Sequence, residues 1–147
     1  MPMDAKPYRD FNSYLRGVFG CRVHKISLDA GLTCPNRDGT LSTSGCIYCN
    51  PKGSGTGASR KGLSITEQIR AAKSYLAARY KAKKFLAYFQ SFTNTYAPLD
   101  TLRSLYAEAL SDPDVVGLSI GTRPDCVPDP VLDLLEDLSR THLVWVE

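Results

Sequence analysis

"KFLAYFQSF", residues 84–92, decides the fold. It is short, apolar and aromatic, with no strict alternation of polar and apolar positions. That is the pattern of a buried strand rather than of a sheet with one wet face. On its N-terminal side, "SITEQIRAAKSYLAARY" (64–80) reads as a helix. Ser64 and Glu67 match a capping box, and Ile65, Ile69, Ala72 and Leu76 recur on one helical face. On its C-terminal side, "PLDTLRSLYAEALSD" (98–112) predicts a second helix, with Leu102, Leu105, Tyr106, Ala109 and Leu110 inward. "VVGLSIGT" (115–122) repeats the buried-strand pattern. "DPVLDLLEDLSR" (129–140) repeats the helix, with Asp129 suited to the N-cap and Pro130 to the first helical position. "HLVWVE" (142–147) is a last strand, with Trp145 expected in the core.

Further out, "PYRDFNSYLRGVFG" (7–20) spaces Phe11, Leu15, Val18 and Phe19 as a helix that stops at Gly20. "RVHKISLD" follows as a short strand with Val23, Ile26 and Leu28. Continuous apolar strands alternating with amphipathic helices predict the α/β class, a parallel sheet of βα units. Three parts result: an N-terminal helix over 7–20, a loop over 30–63, and βα units over 64–147. The last strand reaches Glu147 and would offer a bare parallel edge, which natural domains usually cover. The expectation is therefore the N-terminal portion of a longer protein.

The chain has 147 residues, 43% of them apolar and 22% charged, enough for one ordinary domain with a core. No apolar run is long enough for a membrane span. "MPMDAKPYRD" lacks the apolar stretch of a signal peptide, so the expected compartment is the cytoplasm. A net charge of +3 permits a nucleic-acid partner without arguing for one. The densest basic segment, "ARYKAKK" (78–84), reads first as a solvated helix end.

The long loop carries the chemistry. "LTCPNRDGTLSTSGCIYCN" (32–50) holds Cys34, Cys46 and Cys49 in the spacing C-x11-C-x2-C, just after the first strand. Ligands of parallel α/β sheets bind at that end. In a reducing compartment these thiols stay free, and an odd count of five cysteines with a C-x-x-C favours a metal or redox site. Three readings stand on spacing alone. One is a 4Fe–4S cluster with three protein sulfurs. Another is zinc, completed by Cys21, His24 or Cys126, in an interaction module. The third is a thiol redox pair at Cys46 and Cys49. His24 and His142 otherwise read as structural, and Cys21 and Cys126 as plain thiols.

These residues, together with Tyr48 before the last cysteine and the stretches "LDAGLTCPNRDGT", "GCIYCN" and "IGTRPDC", resemble the radical S-adenosylmethionine (SAM) enzymes. Within that superfamily the first gap of eleven resembles a bacterial subgroup related to the Elongator catalytic subunit. The resemblance runs from about Tyr14 to Glu147. It implies the N-terminal part of a partial (β/α)6 TIM-like barrel, incomplete in this chain. It implies a 4Fe–4S cluster on Cys34, Cys46 and Cys49, with SAM on the fourth iron, cleaved by one electron to methionine and a 5′-deoxyadenosyl radical. An electron donor such as flavodoxin or ferredoxin would supply that electron, and tRNA is the candidate substrate. Lys and Arg at 79–84 would then meet phosphates.

By the same resemblance Tyr48 lies near adenine. Gln90, Ser91 and Thr93 stand where many members carry a Gly-Gly-Glu stretch, and this chain has no such glycines. Thr122, Arg123 and Asp125 fall where members contact ribose or methionine, and Glu147 is a further SAM candidate. Each has a plainer alternative: loop packing for Tyr48, backbone satisfaction for Gln90 and Ser91, a turn for "TRPD".

Overall fold

The computed structural model describes residues 7–147. The N-terminal stretch that bears on a targeting signal lies, over residues 1–6, outside that range. Ten elements follow in order. They are α1 (Phe11–Phe19), β1 (Val23–Leu28), a 3-10 turn (Ser59–Lys61), α2 (Ile65–Tyr80), β2 (Lys84–Phe89), α3 (Leu99–Leu110), β3 (Val115–Ile120), a second 3-10 turn (Pro124–Cys126), α4 (Asp129–Ser139) and β4 (Leu143–Val146). The four strands form one open sheet in sequence order, every neighbour parallel. Among the described residues no helix is long and apolar enough to cross a membrane.

The helix boundaries follow local chemistry. Asp10 caps α1, accepting from the Ser13 amide at 2.8 Å, and Gly20 ends it in the left-handed region. The Ser64–Glu67 capping box forms in both directions at the start of α2. The start of α4 differs from expectation by one residue. Pro128 is the N-cap and Asp129 is already helical. Asp129 therefore places its negative charge in the first turn, where the helix dipole favours it, instead of capping.

Alternation within the strands sorts side chains to two faces. Ile26, Leu28, Phe85, Ala87, Phe89, Leu118 and Ile120 face α2, α3 and α4 and make the main core with Ile65, Ile69, Leu102, Tyr106, Val131, Leu134 and Leu135. The opposite face is apolar only near the N-terminal ends of the strands, where Val23 and Leu86 pack under Leu15 of α1. Trp145 is a correction to its expected core place. It is 40% exposed, its ring resting on Phe11 and Tyr14 of α1. Gly117 sets the spacing at β4: a Cβ there would stand 2.4 Å from the Leu143 carbonyl oxygen. At the strand entry, Lys73 of α2 binds Asp112 at 2.8 Å and Asp114 at 2.6 Å, tying that helix to the start of β3.

Candidate functional site

The long loop is anchored at both ends by one residue. Asp29, the first residue after β1, is 3% exposed. Its carboxylate accepts from the Gly31 amide at 3.0 Å and the Ser59 amide at 3.3 Å. The Gln68 side chain of α2 accepts from the Asp29 amide at 2.9 Å and donates to the Asp29 carbonyl at 2.8 Å. Between these anchors the chain folds on itself. The Arg37 and Asp38 amides donate to the Cys34 carbonyl, and the Gly45 amide to that of Asn36.

The loop is then stitched to the segment after β2. The Thr93 amide donates to Thr33 and the Phe92 amide to Gly53, both at 3.1 Å. Phe92 accepts a φ of 64° to do so, an uncommon conformation for a bulky residue. Gly55 lies so close to this segment that a Cβ would fall 1.7 Å from Ser91 Oγ and 3.1 Å from its Cα. The Gly55→Ala variant is expected to lose about 1–3 kcal/mol by overpacking. Thermal unfolding checks this, and an unchanged midpoint would show that the loop is not seated here.

The result is a cleft of about 260 Å³ at the C-terminal ends of the strands, lined by Cys34, Cys46 and Cys49. Of the other expected residues, Tyr48, Gln90, Thr93, Thr122, Arg123 and Glu147 line the same cleft. Ser91 and Asp125 do not. Ser91 is fully buried behind it, with no hydrogen-bond partner for its hydroxyl. Asp125 lines a neighbouring cavity of about 660 Å³, with Pro35, Leu41, Thr95, Tyr96 and Cys126. Gln90, Ser91 and Thr93 lie past the end of β2, which stops at Phe89, short of the predicted run.

All three thiols are free, Cys34 buried and the other two half-buried. Asn36 Nδ2 donates to Cys46 Sγ at 3.2 Å, and Ser54 Oγ to Cys49 Sγ at 3.5 Å. The Asn36 bond, then one from Tyr48, then the charges of Arg123 and Arg37 push the Cys46 thiol below its usual range. Tyr48 is 81% exposed. Among the described residues, no group of three or more His, Cys, Asp or Glu side chains stands in an arrangement that could hold a metal ion.

The other thiols and imidazoles of the chain lie elsewhere. Cys21 precedes β1 and His24 sits near its start, at the opposite end of the strand from the cleft. Six residues at about 3.3 Å each separate those ends by roughly 20 Å. His24 stacks on Tyr80, and His142 pairs with Thr141. Cys126 is buried in the neighbouring cavity wall, and burial pushes its thiol up. The cleft thus gathers three protein sulfurs, with an amide and a hydroxyl donor aimed at two of them and guanidinium groups beside them.

Two charged groups in the cleft are pre-positioned. Arg123 Nε and Nη2 bind Asp125 Oδ1 and Oδ2 at 2.9 and 2.8 Å. This fork raises Arg123 and holds Asp125 at about 2. Because the folded value lies below the ordinary one of 3.8, the pair contributes stability above that value and loses it as pH falls toward 2. Carbon-detected NMR of the Asp125 carboxyl should titrate near 2 and return toward 3.8 in Arg123→Ala. A midpoint near 3.8 in both proteins would show no such fork in solution.

Glu147 is the second. Burial works to raise it, but Lys25 at 2.5 Å, Ser119 at 2.8 Å and Tyr88 outweigh burial and hold the carboxyl below its usual range. Four strand positions thus converge on one face: Lys25 from β1, Tyr88 from β2, Ser119 from β3 and Glu147 after β4.

Sequence reasoning missed Asn36, Arg37, Ser54, Tyr88, Phe92 and Asn94. Asn94 is fully buried, its Nδ2 donating to the carbonyls of Phe89 and Gly121 at 3.0 and 2.9 Å, which joins the ends of β2 and β3. The polar run "TNT" directly after an apolar strand was the available signal.

No model of a known protein family matches the chain, and no solved structure matches it. Among the proteins it is similar to are two bacterial proteins and one archaeal protein. "Uncharacterized protein YtqA" of Bacillus subtilis is 44% identical over 142 residues, 97% of this chain and 44% of that protein. "Protein YhcC" of Escherichia coli K12 is 46% identical over 138 residues, 93% of this chain and 43% of that protein. "Uncharacterized protein MJ0486" of Methanocaldococcus jannaschii is 36% identical over 145 residues, 95% of this chain and 43% of that protein. The chain spans less than half the length of the curated relatives it matches.

Proposed function

We propose that the cleft holds a 4Fe–4S cluster on Cys34, Cys46 and Cys49 and binds SAM beside it, the core of a radical SAM enzyme. The observation that carries this reading is the meeting of three thiols in one cleft at the C-terminal edge of a parallel sheet, with no fourth cysteine and no histidine lining it among the described residues. When bound, a reduced cluster of this kind supplies the one electron that cleaves SAM to methionine and a 5′-deoxyadenosyl radical.

The chain's own groups have definite parts in this reading. Asn36 and Ser54 donate to cluster sulfurs, and Arg37 and Arg123 offset the negative charge gathered there. Tyr48 presents an exposed aromatic face for adenine. Gln90, Thr93 and Thr122 offer polar groups at the strand ends for the ribose and methionine parts. Glu147, kept ionised by Lys25 and Ser119, is placed to meet a cation. Asp125 acts through Arg123 as a positioning residue, and Ser91 sits behind the cleft wall. The cytoplasm is the compartment that suits oxygen-sensitive thiolate chemistry. Flavodoxin or ferredoxin is the electron donor that fits, and tRNA is the substrate candidate.

Anaerobic reconstitution with iron and sulfide tests the reading. The expected result is a brown protein with about four irons per chain, and 5′-deoxyadenosine from SAM when the full-length protein is reduced. A colourless protein holding one zinc per chain, or no SAM cleavage by the full-length protein, overturns it.

A further inference from the structure

At the opposite end of the sheet from the cleft, the end of α2 and the approaches to β1 and β2 gather cations and aromatic rings. Arg79 lies over two tyrosine rings, Tyr75 at 5.9 Å and Tyr80 at 5.4 Å, and its Nη1 donates to the Tyr75 hydroxyl at 2.8 Å. The His24 ring stacks on Tyr80 at 5.7 Å and 26°. Both tyrosines remain open to solvent, Tyr75 at 57% and Tyr80 at 47%. Lys81 ends α2 in the left-handed region, so the chain reverses and leaves Lys81 and Lys83 exposed beside this stack. Arg22, also exposed, immediately precedes the strand that carries His24.

A plain solvated helix end would show mobile cations paired with carboxylates. Here the Arg79 guanidinium lies over two tyrosine rings and donates to the hydroxyl of one of them. Among the described residues, Arg22, Arg79, Lys81 and Lys83 form no ion pair; the ion pairs of this end belong to Lys73 with Asp112 and Asp114. Ordered rings with an accessible face, interleaved with uncompensated cations, are what a single strand of nucleic acid requires. Its bases stack on aromatic and guanidinium planes, and its phosphates meet Lys and Arg. A duplex hides its base faces and could use only the charges.

We propose that this surface, centred on Tyr75, Arg79 and Tyr80, binds single-stranded nucleic acid. It stands on a different end of the molecule from the cysteine cleft and does not depend on what the cleft holds. The base stacks on Tyr75, whose ring is 57% exposed beside Arg79, while His24 packs on Tyr80.

Fluorescence anisotropy with a labelled oligouridine, competed by a duplex of equal length and by heparin, tests this on the protein as isolated. Expected are salt-dependent binding, preference for the single strand over the duplex, and affinity about 10-fold lower in Tyr75→Ala. Lys81→Gln with Lys83→Gln is expected to reduce the salt slope by about 0.7 for each phosphate left without its lysine. Leu132→Ala, on α4 and outside this surface, should leave binding unchanged. No binding, equal competition by heparin and single strand, or an unaffected Tyr75→Ala each overturn the proposal, the second by showing a site for polyanions only. All three variants are at exposed or half-buried positions, and circular dichroism establishes that they are folded.

Discussion

Replacing Cys46 with serine is expected to reduce reconstituted iron from about four per chain to less than about one. A thiolate is the group an iron–sulfur cube binds, and a serine hydroxyl in the same place does not ionise in the working range. Cys46 is the informative choice among the three. It is half-buried, its sulfur receives the Asn36 amide at 3.2 Å, and it belongs to no core cluster. Its loss should therefore leave unfolding stability within about 0.5 kcal/mol, the usual range for substitutions away from the core. Two controls separate ligation from general thiol effects. Cys21→Ser and Cys126→Ser remove sulfurs that do not line the cleft, and both should retain iron. Asn36→Ala removes the Asn36 donor to Cys46 and should keep the proposed cluster while shifting its reduction potential, because hydrogen bonds to sulfur tune it. Full iron in Cys46→Ser, or equal loss in Cys126→Ser, would remove the three-sulfur assignment.

How much of this was legible in the sequence depends on the range of the forces involved. The strands at Lys84–Phe89 and Val115–Ile120 were legible because burial on a parallel sheet demands an unbroken apolar run, which local sequence displays. Their ends were not. The regular strands stop at Phe89 and Ile120, where Asn94 adds its own donations to the carbonyls of Phe89 and Gly121, a contact set by residues distant in sequence. That Cys34, Cys46, Cys49 and Tyr48 would stand together at the strand ends was legible, because a single loop directly after a parallel strand carries all four. Arg37 and Tyr88 were not. An arginine in a turn and a tyrosine in a strand carry no local mark, and only the packing of loop on sheet brings them to the cleft. Trp145 misled for a related reason. Its hydrophobicity points inward, but among the described residues the face it occupies is covered by α1, so Phe11 and Tyr14 meet its ring and 40% of it stays exposed.

The largest effect on stability is expected at Phe89, because that residue joins the core to the floor of the cleft. Its side chain is fully buried and meets Tyr106 of α3 edge to face at 5.3 Å and 78°. Its carbonyl accepts from the Gly121 amide at 2.8 Å and from Asn94 Nδ2 at 3.0 Å. The Tyr106 hydroxyl in turn donates to the Asn94 carbonyl at 2.5 Å, and burial pushes that phenol up, so it stays a donor at any working pH. Phe89→Ala removes the ring and leaves a cavity, at a cost of about 3–5 kcal/mol. Against a total of about 5–15 kcal/mol this is a large fraction, and it should lower the melting midpoint by roughly 10 °C or more. Tyr106→Phe keeps the ring contact but strands a buried carbonyl, costing about 1–3 kcal/mol. Since the two side chains are in direct ring contact, a double-mutant cycle should show coupling of about 0.5–3 kcal/mol, against near-additivity for sites that share no partner. Urea unfolding of the four proteins measures all three quantities. A loss under about 1 kcal/mol for Phe89→Ala, or additive losses, would mean that the ends of β2 and β3 are held by their ladder alone and that the cleft floor is independent of the helical layer.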